Sequence, residues 1–166
     1  MSIDENVIVL QGDFNAPMVK FFKEALRRQP KNESIVCRID SLGGNGHSMN
    51  FMSGHMAVMT KYHKSRFISQ IVVAESAALI FAVNMHERHV TKSSVGSIHL
   101  PVRNMNVIVG AHEPNLEIKN KSVIDHFVSR TKLTAKEVIS LEGKFLSAEE
   151  MLYYGIATKL VESFQI

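Results

Sequence analysis

The sequence predicts an α/β protein whose central strands are parallel. Three apolar, strand-like segments each lead into a segment with helical spacing of apolar residues, and the three units follow one another between residue 7 and about residue 85. Successive units of this kind give parallel strands joined by right-handed crossovers, with functional groups at the carboxyl ends of the strands. At 166 residues, 45% of them apolar, the chain is expected to form a single domain over residues 1–166.

The first unit is a strand at residues 7–10 followed by a helix at residues 16–28, capped by Asn15 or Asp13. The apolar residues with helical spacing in this helix are Met18, Phe22, Ala25 and Leu26. The second unit is a strand at residues 35–39 and a helix at residues 48–62. The third is a strand at residues 67–73 and a helix that begins at Ser76 and ends near residue 85.

The C-terminal half contains shorter elements. We expect short strands at residues 90–91 and 97–100, a projecting strand or loop at residues 102–112, and an amphipathic helix at residues 116–130. Two later helices begin with capping boxes, in which a hydroxyl and a glutamate three residues on satisfy each other's backbone N–H groups. The boxes are Thr134 with Glu137 and Ser147 with Glu150, and Gly155 is a helix stop.

Composition and charge exclude several classes of protein. The only cysteine, Cys37, lies in an apolar strand, which excludes an internal disulfide and fits a reducing compartment. No apolar run approaches the roughly 20 residues of a membrane helix, and the N-terminus lacks a secretory signal. The net charge of +3 is spread along the chain. We therefore expect a cytoplasmic protein that binds neither membranes nor nucleic acid.

Ser76 is the candidate nucleophile, because it is a lone hydroxyl where an apolar strand turns into a helix. Backbone N–H groups at such a turn are free to stabilise an oxyanion. Gly43 and Gly44 end the preceding strand and let the backbone approach a substrate closely. Gly44 and Ala77 are the expected oxyanion donors, although a Gly-Gly pair is also an ordinary turn.

His99 is the best candidate for the general base among the eight histidines, because a return strand would bring it beside the strand that delivers Ser76. The alternative is a partly buried strand histidine. The glycine loop lacks the residues of a phosphate-binding motif. Metal ligation is not expected, because the pairs His86 with His89 and His112 with Glu113 lack a third ligand at a recognisable spacing. No cofactor is expected either.

Four motifs in order resemble those of ClpP, the proteolytic subunit of the Clp protease. The family pattern is Ser-Pro-Gly-Gly, then Ala-Ser-Met-Gly with the nucleophile, then Met-Ile-His-Gln-Pro with the base, and finally Arg-Phe-Leu-Ser-Ala. The corresponding segments here are residues 41–44, 75–78, 97–101 and 144–150, the last followed by Tyr154-Gly155-Ile156. The similarity spans nearly the whole chain, and it identifies the sequence as a divergent relative.

The resemblance implies a fold of the ClpP/crotonase type, made of repeated ββα units, with a projecting handle helix at residues 116–130 that joins two rings. It implies a serine endopeptidase that cleaves peptides or unfolded proteins through an acyl-enzyme, inside a homo-oligomeric ring or double ring. Ser76 would attack, His99 would act as base and then as acid, and the N–H groups of Gly44 and Ala77 would hold the oxyanion.

The sequence departs from the family at three places, one of which is the segment between His99 and Phe145, which is a few residues shorter than in the family. The aspartate that orients the histidine is replaced by Gly143, so Glu142, Asp125 or Glu113 is left to orient His99, or none does. The chain begins almost at its first strand, so the segment that engages an AAA+ unfoldase is expected to be absent or short. The alternatives are a weak or inactive structural or regulatory subunit, a crotonase-type acyl-CoA enzyme, and, least favoured, a relative of signal-peptide peptidases with a Ser–Lys pair.

Overall fold

The structure is a computed structural model that describes residues 2–4, 7–101 and 114–164. Its alternating strands and helices confirm the predicted α/β class. The strands are β1 (Ser2–Asp4), β2 (Val7–Gln11), β3 (Ser34–Ser41), β4 (Arg66–Glu75), β5 (Glu87–Ser97), β6 (Phe145–Ser147) and β7 (Lys159–Leu160). The helices are α1 (Ala16–Arg28), α2 (Gly46–His63), α3 (Ala77–Val83), α4 (Pro114–Arg130), α5 (Ala135–Ser140) and α6 (Ala148–Tyr153).

One sheet contains all seven of these strands. Its order is β1-β2-β3-β4-β5-β6, and β7 pairs with the N-terminal part of β5, whereas β6 pairs with the C-terminal part. The pairs from β2 to β5 are parallel, as predicted, whereas β1 and β6 pair antiparallel with their neighbours. The carboxyl ends of β3 and β4 therefore lie side by side, and these ends carry the glycine loop and Ser76.

Helix α3 is the most deeply buried helix of the described chain, since all seven of its residues are buried. Its Phe81 packs edge-to-face against Phe14 and Phe22, with ring centroids 5.4 Å and 5.6 Å apart. These contacts link α3 to α1 and to the segment after β2. Because α3 cannot shift without disturbing the core, the residue that precedes it is held firmly as well.

The local sequence signals formed the structures expected of them. Helix α1 has the predicted bounds, and Asn15 Oδ1 accepts a hydrogen bond from the Met18 N–H at 3.0 Å. Both capping boxes are present, at Thr134 with Glu137 and at Ser147 with Glu150. The helix core was also predicted correctly, because Met18, Phe22, Ala25 and Leu26 are all buried.

Strand β5 differs from the prediction of two short strands at residues 90–91 and 97–100. It is continuous from Glu87 to Ser97, and its register with β4 breaks so that Ile71 pairs with Val90 and Val73 with Val95. Ser94 stabilises this bulge by donating a hydrogen bond to the Ile71 carbonyl. The strand ends at Ser97, so His99 lies just beyond it rather than within a strand.

Three short edge strands, β1, β6 and β7, were not predicted, and residues 102–112 lie outside the described residues. Met49, Met52 and Met56 are buried on α2 and belong to the hydrophobic core. In the parts of the chain that the structure describes, every helix is too short or too polar to cross a bilayer.

Candidate active site

Ser76 lies between β4 and α3 in a backbone conformation that side chains rarely adopt. Its φ is +51° and its ψ is −123°. Such a conformation costs on the order of 1–3 kcal/mol in a non-glycine residue and is concentrated at functional sites. A serine on a sharp strand-to-helix turn is also how a nucleophilic hydroxyl is presented to a substrate.

The backbone of Ser76 is bonded on both sides, whereas its hydroxyl is free. The Ser76 N–H donates to the Ser97 carbonyl at 3.0 Å, and the Ser76 carbonyl accepts from Leu79 and Ile80 at 3.1 Å each. The hydroxyl does not cap α3 and has no hydrogen-bond partner among the described residues. The strained conformation is therefore held by neighbouring strands and by α3, not by the side chain itself.

Gly43 lies directly against this turn, and Gly44 packs against the backbone of Phe14. A Cβ atom at Gly43 would come within 2.9 Å of Ser76 Cβ and 3.2 Å of the Ala77 nitrogen, so only glycine allows the approach. The φ angles of Gly43 and Gly44 are +105° and +132°. Ser41 fixes the loop by accepting a hydrogen bond from the Gly43 N–H at 3.0 Å.

The two expected oxyanion donors are both unused. Gly44 bridges to Phe14, but that bridge uses the Gly43 carbonyl and the Asn45 N–H, leaving the Gly44 N–H without a partner among the described residues. The Ala77 N–H is the first of α3, and such groups have no partner within a helix. The two free N–H groups are thus that of Ala77, which follows Ser76 in the chain, and that of Gly44, which follows Gly43.

His99 stands two residues after Ser97, whose carbonyl accepts the Ser76 N–H, but its ring is bonded to the Ser97 hydroxyl and not to that of Ser76. A hydrogen bond of 3.2 Å joins His99 Nε2 to Ser97 Oγ, and Ser97 is fully buried. No hydrogen bond connects His99 with Ser76 in the described part of the molecule. In this arrangement His99 Nε2 is hydrogen-bonded to Ser97 and not to Ser76.

Ser97 is the site residue that the sequence reasoning missed. It stands two residues before His99, a spacing that places two side chains on the same side of an extended chain. Its backbone also accepts the Ser76 N–H, so Ser97 touches both members of the expected dyad. The period-two spacing was the available signal.

Glu142 and Gly143 approach His99 through their backbone only. Glu142 bridges to Ile98, and the Gly143 N–H donates to the Ile98 carbonyl at 2.9 Å. The Glu142 side chain is exposed and bonds to no described residue, so it does not contact the His99 ring. Gly143 has a φ of +72°, and a Cβ atom there would meet nothing within 4 Å. The chain passes beside His99 without delivering a carboxylate.

Asp125 and Glu113 are the other two carboxylates considered for orienting His99. Asp125 is on α4 and forms an ion pair with Lys121 one turn away, so it does not orient His99. Glu113 lies outside the described residues.

Competing nucleophiles and ligands have structural roles. Burial raises the pKa of the Cys37 thiol, which therefore stays protonated and unreactive. His86 Nδ1 accepts a hydrogen bond from the Phe67 N–H at 3.0 Å, and His89 pairs with Glu87. Within the described ranges there is no cluster of three or more histidine, cysteine or acidic side chains that could hold a metal.

Comparison with known proteins supports the fold and not the sequence family. No protein-family model matches the chain, and no curated protein sequence does. Solved structures do match it, and they define the class: a mixed α/β fold of the ClpP/crotonase type.

Two of these structures cover nearly the whole chain. The ClpP protease catalytic domain from Plasmodium falciparum superposes with a TM-score of 0.74 at 16% identity, covering 98% of this chain and 88% of that one. A mutant of ClpP1 from Listeria monocytogenes gives 0.74 at 15% identity, covering 95% and 92%. At such identities the match establishes the ClpP-like fold, and the chemistry must be argued from the site.

Proposed function

We propose that the chain is a serine peptidase with a ClpP-like fold, which hydrolyses peptide bonds through an acyl-enzyme on Ser76. The observation that carries the proposal is the strained backbone of Ser76, with its free hydroxyl beside the glycine loop. A cap or a packing serine has no need of a positive φ, whereas a presented nucleophile does.

The proposed reaction uses the Ser76 hydroxyl, the His99 ring and two backbone N–H groups. Ser76 Oγ attacks the carbonyl carbon of the peptide, and His99 Nε2 takes the hydroxyl proton. The N–H groups of Gly44 and Ala77 bind the oxyanion that forms. The C–N bond then breaks, the amine leaves with the proton from His99, and water hydrolyses the ester with His99 again acting as base.

The proposal requires a change at His99. Its Nε2 is bonded to Ser97 Oγ, so the ring must rotate away from Ser97 before it can accept a proton from Ser76. A neutral hydrogen bond contributes about 1 kcal/mol, which is a small cost for a side-chain rotation. Glu142 is the carboxylate next to Gly143 in the sequence, and its side chain is exposed. We assign this side chain to orient the rotated ring, with a smaller effect on the rate than Ser76 or His99.

Assembly, partners and location are part of the same proposal. We assign unfolded proteins or peptides as substrates and a homo-oligomeric ring or double ring in the cytoplasm as the working form. Helix α4 is the proposed handle, and its Ile118, which is 67% exposed, is the side chain that we assign to the contact with another subunit. An AAA+ unfoldase is an optional partner in this scheme.

A second candidate is a non-catalytic subunit in a mixed ClpP-like assembly. The observation that favours it is the pairing of His99 with Ser97, together with Gly143 where a carboxylate would orient the ring. This candidate predicts no hydrolysis by the isolated chain and co-purification with an active homologous subunit.

Hydrolysis of a fluorogenic peptide and of unfolded casein by the purified, assembled protein separates the two candidates. The peptidase proposal predicts turnover that Ser76→Ala and His99→Ala abolish. Glu142→Gln should reduce it far less than Ser76→Ala, because the Glu142 side chain is not bonded to the ring. Turnover equal in the wild type and in Ser76→Ala would overturn the assignment of Ser76.

A further inference from the structure

A cationic groove lies between the C-terminal halves of α1 and α2, in a part of the molecule that the proposed reaction does not use. Its volume is about 320 Å³, within the size range of small-molecule sites. Lys23 and Arg27 of α1 and Lys31 of the following loop line it, together with His55 and His63 of α2. Among the residues that the structure describes, no carboxylate lines it.

The basic side chains of this groove have no ion-pair partner among the described residues. None of Lys23, Arg27 and Lys31 forms an ion pair or a side-chain hydrogen bond with any described residue. Charges of the same sign repel one another when they share a concave surface. Lys23 and Arg27 accordingly contribute, after burial, to a lowered pKa of His55.

Helix dipoles do not account for the whole cluster. Basic residues are favoured in the last turn of a helix, which explains Arg27 on α1 and His63 on α2. Lys23 and His55 lie before the last turns of their helices, where the dipole effect has faded. Their presence is explained better by a negatively charged ligand between the two helices.

The groove also has an apolar surface and a fixed shape. Leu26, Val58 and Met59 line it beside the basic residues, and Val58 is 50% exposed. The loop that carries Lys31 is tied to α2, because the Asn32 N–H donates to the His63 carbonyl at 2.9 Å. The backbone of the loop that carries Lys31 is therefore held in place, so binding does not have to order it.

We propose that this groove binds a small organic phosphate. The phosphate is held by Lys23, Arg27 and Lys31, and the apolar body of the ligand packs on Leu26, Val58 and Met59. Phosphate suits a groove lined by several cations, because its oxygens can accept charge-assisted hydrogen bonds from separate side chains at once. A volume of about 320 Å³ accommodates one such molecule and not a folded segment of a partner protein.

Binding of naphthyl phosphate to the assembled protein, measured by titration calorimetry, tests the proposal. We expect naphthyl phosphate to bind at least tenfold more tightly than inorganic phosphate, which lacks the apolar body, and than naphthol, which lacks the charge. Arg27→Glu and, separately, Lys31→Glu should weaken binding at least tenfold. The matched control is Arg28→Glu, because Arg28 is exposed on α1 but does not line the groove; it should change affinity less than twofold.

Proton NMR of the His55 ring gives an independent readout. A bound phosphate stabilises the imidazolium, so the pKa of His55 should rise on saturation with naphthyl phosphate. Equal binding of inorganic phosphate and naphthyl phosphate, equal losses in Arg27→Glu and Arg28→Glu, or an unmoved His55 pKa would each overturn the proposal. Binding of a polyglutamate peptide without binding of naphthyl phosphate would also overturn it, in favour of an acidic protein partner.

Discussion

Ser76 is the residue on which the functional interpretation depends, and its backbone is as informative as its hydroxyl. A φ of +51° is unfavourable for any residue with a Cβ atom, and the core packing of α3 maintains it. The strain therefore lowers stability and is retained at a position where the side chain is free. This is the pattern expected where function and stability compete.

Replacement of Ser76 by glycine should therefore stabilise the fold. We expect Ser76→Gly to increase the free energy of unfolding by about 1 kcal/mol relative to Ser76→Ala, since glycine relieves the positive φ and alanine does not. Chemical denaturation of the two variants measures this difference. A more stable Ser76→Ala would mean that the turn is not strained in solution.

Ser97 determines where the His99 ring points. Removing its hydroxyl frees His99 Nε2, so Ser97→Ala should increase the rate of peptide hydrolysis about fivefold, the equivalent of one hydrogen bond of about 1 kcal/mol. The initial rates of the two proteins give the answer. A slower Ser97→Ala enzyme, with unchanged stability, would show instead that Ser97 holds His99 in its productive orientation.

In the proposed mechanism, the connection between α5 and β6 is the element in which an orienting carboxylate is missing. It runs beside Ile98, the residue before His99, through the hydrogen bond from the Gly143 N–H to the Ile98 carbonyl, and there is open space around the Cβ position of Gly143. Its φ of +72° is tolerated by aspartate and asparagine better than by most other residues.

Gly143→Asp should consequently raise the turnover number by at least tenfold. The carboxylate orients the His99 ring and stabilises the imidazolium that forms during acyl transfer. Gly143→Asn is the matched control, because it has the same shape without the charge, and it should give little gain. Similar rates for both variants would contradict an orienting role at this position.

Elements with local signals were predictable, and those defined by distant partners were not. Asn15 and the apolar spacing of Met18, Phe22 and Leu26 fix α1 from the sequence alone, because a cap and a buried face are local properties. The single strand β5 was missed, since its bulge depends on Ser94 reaching Ile71 on β4. The strands β1, β6 and β7 have only 3, 3 and 2 residues, and such short segments become strands only through pairing with their neighbours.

The candidate site likewise has features that could be predicted from the sequence and features that could not. The glycine loop and Ser76 could be brought together from the sequence, because the carboxyl ends of adjacent parallel strands meet. The pairing of His99 with Ser97 instead of Ser76 depends on a side-chain orientation that no spacing determines. The sequence therefore predicts that the glycine loop and Ser76 lie near each other. It does not predict the hydrogen bond between His99 Nε2 and Ser97 Oγ.

At the scale of the whole molecule, the proposed function requires subunits that enclose the site. Ile118 of α4 and Ile139 of α5 are both exposed, at 67% and 55%, but only α4 is the proposed handle. Ile118→Asp should therefore split a double ring into single rings, halving the mass measured by analytical ultracentrifugation, and Ile139→Asp should not. The same mass for wild type and Ile118→Asp would contradict the role of α4.

The most direct test of the account is covalent labelling of the assembled protein by a fluorophosphonate, followed by mass spectrometry of the peptides. We predict one adduct, on Ser76, that is lost in Ser76→Ala and retained in Ser97→Ala. An unlabelled wild-type protein that is folded and assembled, or an adduct on Ser97, would contradict the claim that Ser76 is the nucleophile.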